Sequence, residues 1–228
     1  MNEKYAECGI ILDGKQQIQL DKLAAYMVEY NKNVNLTRII EPDEITEKHY
    51  IDSILPLTMV DVPRGTSAID VGAGAGFPSL PMKIYRPDLE FTLIDSSNKR
   101  VTYLTSACEM LGIQCRTLHV RGEELGRDPA YREKFGLATA RAVAQLNVLC
   151  EYCLPFVKVG GVFLALKGEK DETSGAENAV KKLGGEIEDI KRYELPSGDK
   201  RTLAVIRKVS PTPPAYPRPS AKIAKKPL

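Results

Sequence analysis

The stretch Asp70-Val71-Gly72-Ala73-Gly74-Ala75-Gly76 constrains this chain more than any other. It overlaps the end of Ser67-Ala68-Ile69-Asp70-Val71, a short apolar run that reads as a buried strand. Alternating glycine and alanine directly after a strand removes side chains where the backbone must turn. Backbone N–H groups can then approach a ligand without Cβ interference. In a doubly wound sheet, ligands bind beyond the carboxyl ends of the strands, where strand order reverses. A second acid, Asp95, ends the next apolar run, Phe91-Thr92-Leu93-Ile94-Asp95. It follows the last glycine by about 20 residues, the separation at which a carboxylate meets ribose hydroxyls.

Around this loop, apolar runs alternate with segments of helical period. Strands are expected at 67–71, 91–95, 115–120, 136–140 and 162–166, with helices at 81–85, 99–111, 146–157 and 176–183. Gly160-Gly161 is expected to break the third of these helices. Runs 186–195 and 202–208 have no helix between them and should pair antiparallel. The pattern predicts an α/β fold with a mostly parallel sheet and an antiparallel final strand. Before the sheet, Leu20, Leu23 and Met27 line one face of a helix expected over 16–36. A second helix should start at Glu41-Pro42, bury Ile45, Tyr50 and Ile54, and end before Pro56. The chain therefore divides into a helical extension (1–65), a sheet domain (66–209) and a tail (210–228).

At 228 residues the chain can build one full core. A hydrophobic share of 43% and a charged share of 27% are ordinary for a soluble globular protein. No signal peptide or membrane span is read, and the five cysteines have no framework spacing, which suits a reducing cytoplasm. A net charge of +2 names no partner. The tail says more. It carries Arg218, Lys222, Lys225 and Lys226, no acid, and prolines at 211, 213, 214, 217, 219 and 227. A regular helix or central strand is not expected there. It reads either as a solubilising end or as an extended basic arm on phosphate.

A dinucleotide loop wants G-x-G-x-x-G with pyrophosphate at a helix N-terminus. Here the pattern is G-x-G-x-G, with Asp70 two residues before Gly72. That variant resembles the S-adenosylmethionine loop of class I methyltransferases, whose ligand carries an ammonium and a sulfonium rather than phosphates. An acid makes electrostatic sense beside such a ligand. A dinucleotide site and a purely structural glycine turn remain the alternatives. Asp70, Gly72, Gly74, Gly76 and Asp95 are the candidate donor residues.

The acceptor leaves fewer traces. The fourth strand is followed by no Asn/Asp-Pro-Pro-aromatic motif. Cys150 and Cys153 form C-x-x-C in an expected helix, without a second pair for zinc, and read as packing residues. His119 reads as packed within a strand. The lack of a base or nucleophile permits an acceptor with its own lone pair, such as N7 of guanine. It does not select one.

Further motifs carry a resemblance. They are Asn35-Leu36-Thr37, Lys48-His49-Tyr50-Ile51-Asp52-Ser53, IDVGAGAGFPSLPM from Ile69, FTLIDSSNKRVTYL from Phe91, RGEEL from Arg121, ATARAVAQL from Ala138, LALKG from Leu164, and the ending YPRPSAKIAKKPL. From about residue 20 onward the chain resembles the ribosomal RNA small subunit methyltransferase G family, also called glucose-inhibited division protein B. The resemblance implies a class I Rossmann-like fold and methylation of N7 of one guanine in a 16S rRNA loop near the decoding region. S-adenosylmethionine would be the donor, held at Gly72, Phe77, Gly122, Glu123 and Arg141, with Asp95 in the ribose role. Arg141 and Lys167 would position the reacting groups. Asn35, Arg38, Lys48, His49, Asp52 and Ser53 would cover the donor site or touch RNA, or cap and join helices. Arg121, Arg218, Lys225 and Lys226 would add positive charge toward RNA. A cytoplasmic monomer is expected. Three positions depart from the family pattern: Ser79 for glycine, Lys48 for arginine, and Gly122 for alanine. The rivals are a methyltransferase for a small molecule or protein, and a ribosome-assembly factor that binds the donor without transferring methyl.

Overall fold

The computed structural model describes residues 2–141, 144–169 and 172–228. Ala142 and Val143 of the ATARAVAQL motif lie outside the described residues. The N-terminal helices are α1 (Asn2–Glu7), α2 (Gly14–Asn31), α3 (Pro42–Glu44) and α4 (Asp52–Met59), with a π-helical turn at Ile45–Ile51. Asp13 starts α2 through a reciprocal cap: its Oδ1 accepts from Gln16 N at 2.8 Å, and Gln16 Oε1 accepts from Asp13 N at 2.9 Å. The helix stops at Asn31, short of the expected residue 36. Asn31 Oδ1 instead accepts from Leu36 N (2.7 Å) and Thr37 N (3.1 Å), which folds the following segment into a loop. Pro42 opens α3 as expected. Pro56 does not end α4, which runs on to Met59. The proline lies inside the helix, shortly after the π-helical turn, and supplies no N–H to the ladder.

The sheet domain continues with β1 (Ser67–Val71), α5 (Ser79–Tyr85), β2 (Glu90–Asp95), α6 (Asn98–Leu111), β3 (Arg116–His119), α7 (Gly122–Leu125) and β4 (Phe135–Arg141). Then come α8 (Leu146–Cys153), a 3-10 turn (Leu154–Phe156), β5 (Val157–Lys167), α9 (Glu177–Lys182), β6 (Gly185–Glu194), β7 (Lys200–Lys208) and α10 (Ser220–Lys225). Strand order is β3-β2-β1-β4-β5-β7-β6. β1 pairs in parallel with both β2 and β4, so chain order reverses beside the glycine loop. β7 inserts antiparallel between β5 and β6.

Gly160-Gly161 does not end a helix, contrary to expectation. It lies inside β5, where the register slips between the Phe135–Val157 and Leu137–Val162 pairs. A Cβ on Gly161 would stand 2.8 Å from the Gly136 carbonyl oxygen, so the bulge requires glycine. One face of the sheet buries Leu20, Leu23, Met27, Ile54, Leu80 and Leu164 in a shared core. The helical extension is thus packed on the sheet. The other face buries Leu149, Phe156, Phe163 and Val180 beneath α8 and α9.

The tail departs most from expectation. It is packed on the second face, and residues 220–225 form α10. The prolines cluster before Ser220 and leave the next turn and a half free of them, while Pro219 sits at the cap. Because prolines have no N–H, this segment offers mainly carbonyls. Arg132 donates to those of Thr212 (2.6 Å) and Tyr216 (2.8 Å), and Arg127 to those of Pro217 (2.8 Å) and Ala215 (3.0 Å).

Candidate functional site

The glycine loop is held from below by β2. Gly72 N and Ala73 N donate to the Ile94 carbonyl at 2.9 and 3.0 Å. Asp95 Oδ2 accepts from Gly74 N (3.0 Å) and Oδ1 from Ser97 N (2.8 Å). Gly72 and Gly74 have φ of +75° and +58°, in the left-handed region that favours glycine. Gly76 (φ +85°) differs in purpose. A Cβ there would lie 2.3 Å from Leu80 Cδ1 and 3.2 Å from Leu104 Cδ2, so its bare Cα lets the loop pack on α5 and α6. Beside the loop opens a cleft of about 300 Å³, lined by Gly72, Asp95, Arg121, Gly122 and Glu123 and by apolar Val148 and Tyr152 of α8.

Asp70 lies beneath this loop, 1% exposed, and does not line the cleft. Thr139, its neighbour across β4, donates to Oδ1 at 3.1 Å, while Oδ2 has no hydrogen bond of good geometry among the described residues. Burial pushes the carboxyl up to about 6, against the opposing pull of the neighbouring Ser79 and Thr139 groups.

A second cavity, of about 410 Å³, is lined by Ile39, Lys48, His49, Asp52, Arg141, Leu166, Lys167, Gly168 and Arg201. Arg141 organises it from the end of β4. One guanidinium nitrogen donates to the Lys48 carbonyl (3.0 Å) and reaches Asp52 Oδ2 (3.4 Å); the other donates to His49 Nδ1 (3.1 Å). A guanidinium only donates, so Nδ1 accepts, and Nε2 carries the proton toward Thr37 Oγ1 at 3.1 Å. Burial first and the Arg141 charge second hold this imidazole down to about 3, so it is neutral. Phe77 stacks on His49 with ring centroids 4.1 Å apart, and the Arg141 guanidinium lies 5.1 Å from the Phe77 centroid. Asp52 also accepts from Arg201 Nε (3.2 Å) and Tyr193 OH (3.4 Å). Burial still raises its pKa against both arginines. Lys167 donates to the Ala144 carbonyl (2.6 Å) and pairs with Glu172 (2.9 Å). Ala144 lines the first cleft, so Lys167 links the two cavities.

The other expected residues fall in several places. Asn35 and Arg38 are exposed on the loop after α2, and Arg121 stands exposed at the cleft. Lys48 pairs with Glu44 (2.8 Å) and lies 3.7 Å from Asp199. Ser53 Oγ donates to the His49 carbonyl and is buried, which is a helix-joining role. Lys225 and Lys226 are exposed at the end of α10. Arg218 is no free arm: its guanidinium is engaged by Glu151 at 2.6 Å. His119, expected to be packed, is exposed at the end of β3, where Nε2 donates to the Ser96 carbonyl at 3.1 Å. Cys150 and Cys153 are buried, and no metal-holding cluster occurs among the described residues. Arg201, Tyr193, Tyr152 and Val148 were not anticipated. They reach the cavities from distant elements, and nothing in their local sequence marks them.

A seven-stranded sheet with β7 inserted antiparallel, a glycine loop at the reversal of strand order and a cleft beside it define a class I methyltransferase fold. The solved structures it resembles agree. A Thermus thermophilus 16S rRNA N2 G1207 methyltransferase, in complex with AdoMet and guanosine, aligns with TM-score 0.50 at 20% identity, covering 72% of this chain and 40% of that one. TrmN from Thermus thermophilus gives 0.54 at 17% identity over 70% and 48%, and YcgJ from Bacillus subtilis 0.54 at 14% over 71% and 100%.

Sequence likeness goes further than fold. The family described as rRNA small subunit methyltransferase G matches residues 16–201, and the chain belongs to it. Proteins named ribosomal RNA small subunit methyltransferase G are 44% identical in Pelotomaculum thermopropionicum (100% of this chain, 97% of that one) and 48% identical in Lactobacillus delbrueckii subsp. bulgaricus (99% and 97%). The chain is a methyltransferase of this type, and no helix among its described residues is long and apolar enough to cross a membrane.

Proposed function

We propose that the chain transfers a methyl group from S-adenosylmethionine to N7 of one guanine in 16S rRNA of the small ribosomal subunit. The observation that carries this reading is the pairing of a glycine-walled cleft with a second cavity in which every acidic or imidazole side chain among the described residues is already engaged. The cleft suits the donor. Each Asp95 oxygen accepts one backbone N–H and keeps a lone pair for a ribose hydroxyl. Val148 and Tyr152 give an apolar wall for a purine, beside Gly122 and Glu123. Bound there, the donor supplies an electrophilic methyl on sulfonium, which a lone pair attacks directly.

The second cavity would take the guanine. N7 needs no proton removed, and among the described residues none of the groups there is a free base. His49 is neutral with both ring nitrogens engaged, and Asp52 is held by Arg141, Arg201 and Tyr193. Catalysis then rests on positioning, which is worth several kcal/mol when reacting atoms are held in line. Arg141 does this by fixing Phe77, His49 and the π-helical turn at once; Lys167 fixes the Ala144 carbonyl between the cavities. The charges of Arg141, Arg201 and Lys167 are balanced in part by Asp52 and Glu172, which limits repulsion of a guanine turning cationic. Asn35, Arg38, Arg121, Lys225 and Lys226 are free to meet phosphate. RNA binding should therefore weaken steeply with salt. One chain builds both cavities, which supports a monomer, and a substrate in the small ribosomal subunit supports a cytoplasmic location.

The test incubates the protein with methyl-labelled S-adenosylmethionine and small subunits from cells lacking the gene. Label should enter 16S rRNA. No label there rejects the reading.

A further inference from the structure

Residues 209–228 touch α8 and the turn that ends α7, the two helices that wall the cleft. Next to α7, Arg127 holds the Pro217 and Ala215 carbonyls, and a Cβ on Gly126 would stand 3.2 Å from Pro217 Cγ. On α8, Glu151 is wholly buried, and its carboxylate takes three hydrogen bonds from Arg218: backbone N and Nε to Oε1 at 2.8 Å each, and the second terminal nitrogen to Oε2 at 2.6 Å. Asn147, one turn before, donates to the Leu228 carbonyl at 3.1 Å, and Ile223 of α10 is fully buried. The residues that flank this contact along α8, Val148, Leu149 and Tyr152, line the cleft.

We propose that the tail is a strap that sets the spacing of α7 and α8 for donor binding, with the Glu151–Arg218 pair as its latch. Both are positioning residues. The proposal rests on the reading of this cleft as the donor site. Two physical facts favour it. A buried carboxylate is stable only while its partner stays docked, so the seat of α8 depends on the tail. The bidentate fork also fixes orientation as well as distance. Neither a solubilising end nor a free basic arm would spend its arginine in this way.

The test uses the full chain. S-adenosylmethionine and S-adenosylhomocysteine binding is measured calorimetrically without RNA for wild type, Arg218→Gln, Arg218→Lys and the double variant Glu151→Gln/Arg218→Gln. Arg218→Gln and the double variant should raise the Kd by about tenfold, within the usual range of coupling between sites. Arg218→Lys should recover part of the loss. At saturating donor and saturating small subunits, kcat should stay within about twofold, because the residues that line the second cavity are unchanged. Folded variants that bind the donor as wild type does overturn the strap. Should none fold, wild type decides: coupling is reciprocal, so saturating S-adenosylhomocysteine must slow hydrogen exchange in residues 215–226, and unchanged exchange overturns the proposal. Failure of wild type to bind either compound would instead refute the donor-site reading.

Discussion

Asp95 holds Gly74 N and Ser97 N with separate oxygens while facing the cleft, so on the proposed reading it joins a structural duty to a binding one. Hydrogen bonds to a charged group contribute about 1.5–3 kcal/mol each. Asp95→Ala should therefore weaken donor binding by roughly 10- to 100-fold in a calorimetric titration on the folded variant. Unchanged affinity would remove Asp95 from the ribose role. His49 gives a pH test. Its unfolded imidazole titrates near 6.5 and its folded one near 3. Between those values only the unfolded state takes the proton, so this group's contribution is intact above about 6.5 and is lost as pH falls toward 3. Asp70 acts oppositely: its carboxyl is raised when folded, so acidification through about 6 favours the native state. Comparison of wild type with His49→Asn isolates the first term. Urea unfolding should show wild type losing about 2 kcal/mol relative to the variant between pH 7 and pH 5. A pH-independent difference would mean the imidazole is not held neutral.

Among the elements, the glycine loop separates two uses of one residue type. Gly72, Gly74 and Gly76 form one pattern in the sequence, yet Gly76 faces Leu80 and Leu104 rather than the cleft. Gly76→Ala should cost about 2–4 kcal/mol, from a left-handed φ and an overpacked core. Gly122→Ala, whose added Cβ would meet Val71 Cγ1 at 3.2 Å, should cost about 1 kcal/mol or less in the same denaturation experiment. Equal costs would contradict this division. The strands and the loop were legible because periodicity and glycine act locally; β1 and β2 fall where the residue pattern places them. Three features were not. The bulge at Gly160-Gly161 depends on the Gly136 carbonyl across the sheet. The end of α2 depends on a side chain, Asn31, capturing the next loop. The docking of Arg218 depends on a buried acid 67 residues away. Each is set by a tertiary partner, and composition is blind to such partners.

For the molecule as a whole, the sheet brings residues from far apart to one edge: Lys48, His49 and Asp52 from the N-terminal helices, Arg141 and Lys167 from the ends of β4 and β5, and Tyr193 and Arg201 from β6 and β7. Arg201 and Tyr193 show the limit of motif reading, since only the antiparallel insertion of β7 carries them to Asp52. On the proposed reading this arrangement would hold an acceptor beside a donor, and among the described residues it offers no free base; that absence is the core of the account. The most direct measurement maps the methyl group. Unmethylated small subunits are reacted with the protein and labelled S-adenosylmethionine, and the 16S rRNA is digested to nucleosides and separately cleaved with aniline after reduction. The account predicts one labelled N7-methylguanosine per rRNA and one aniline-sensitive position. Label on an exocyclic amine, a ribose or a carbon would contradict it, because each of those acceptors needs a base or nucleophile that the described residues of this site do not present.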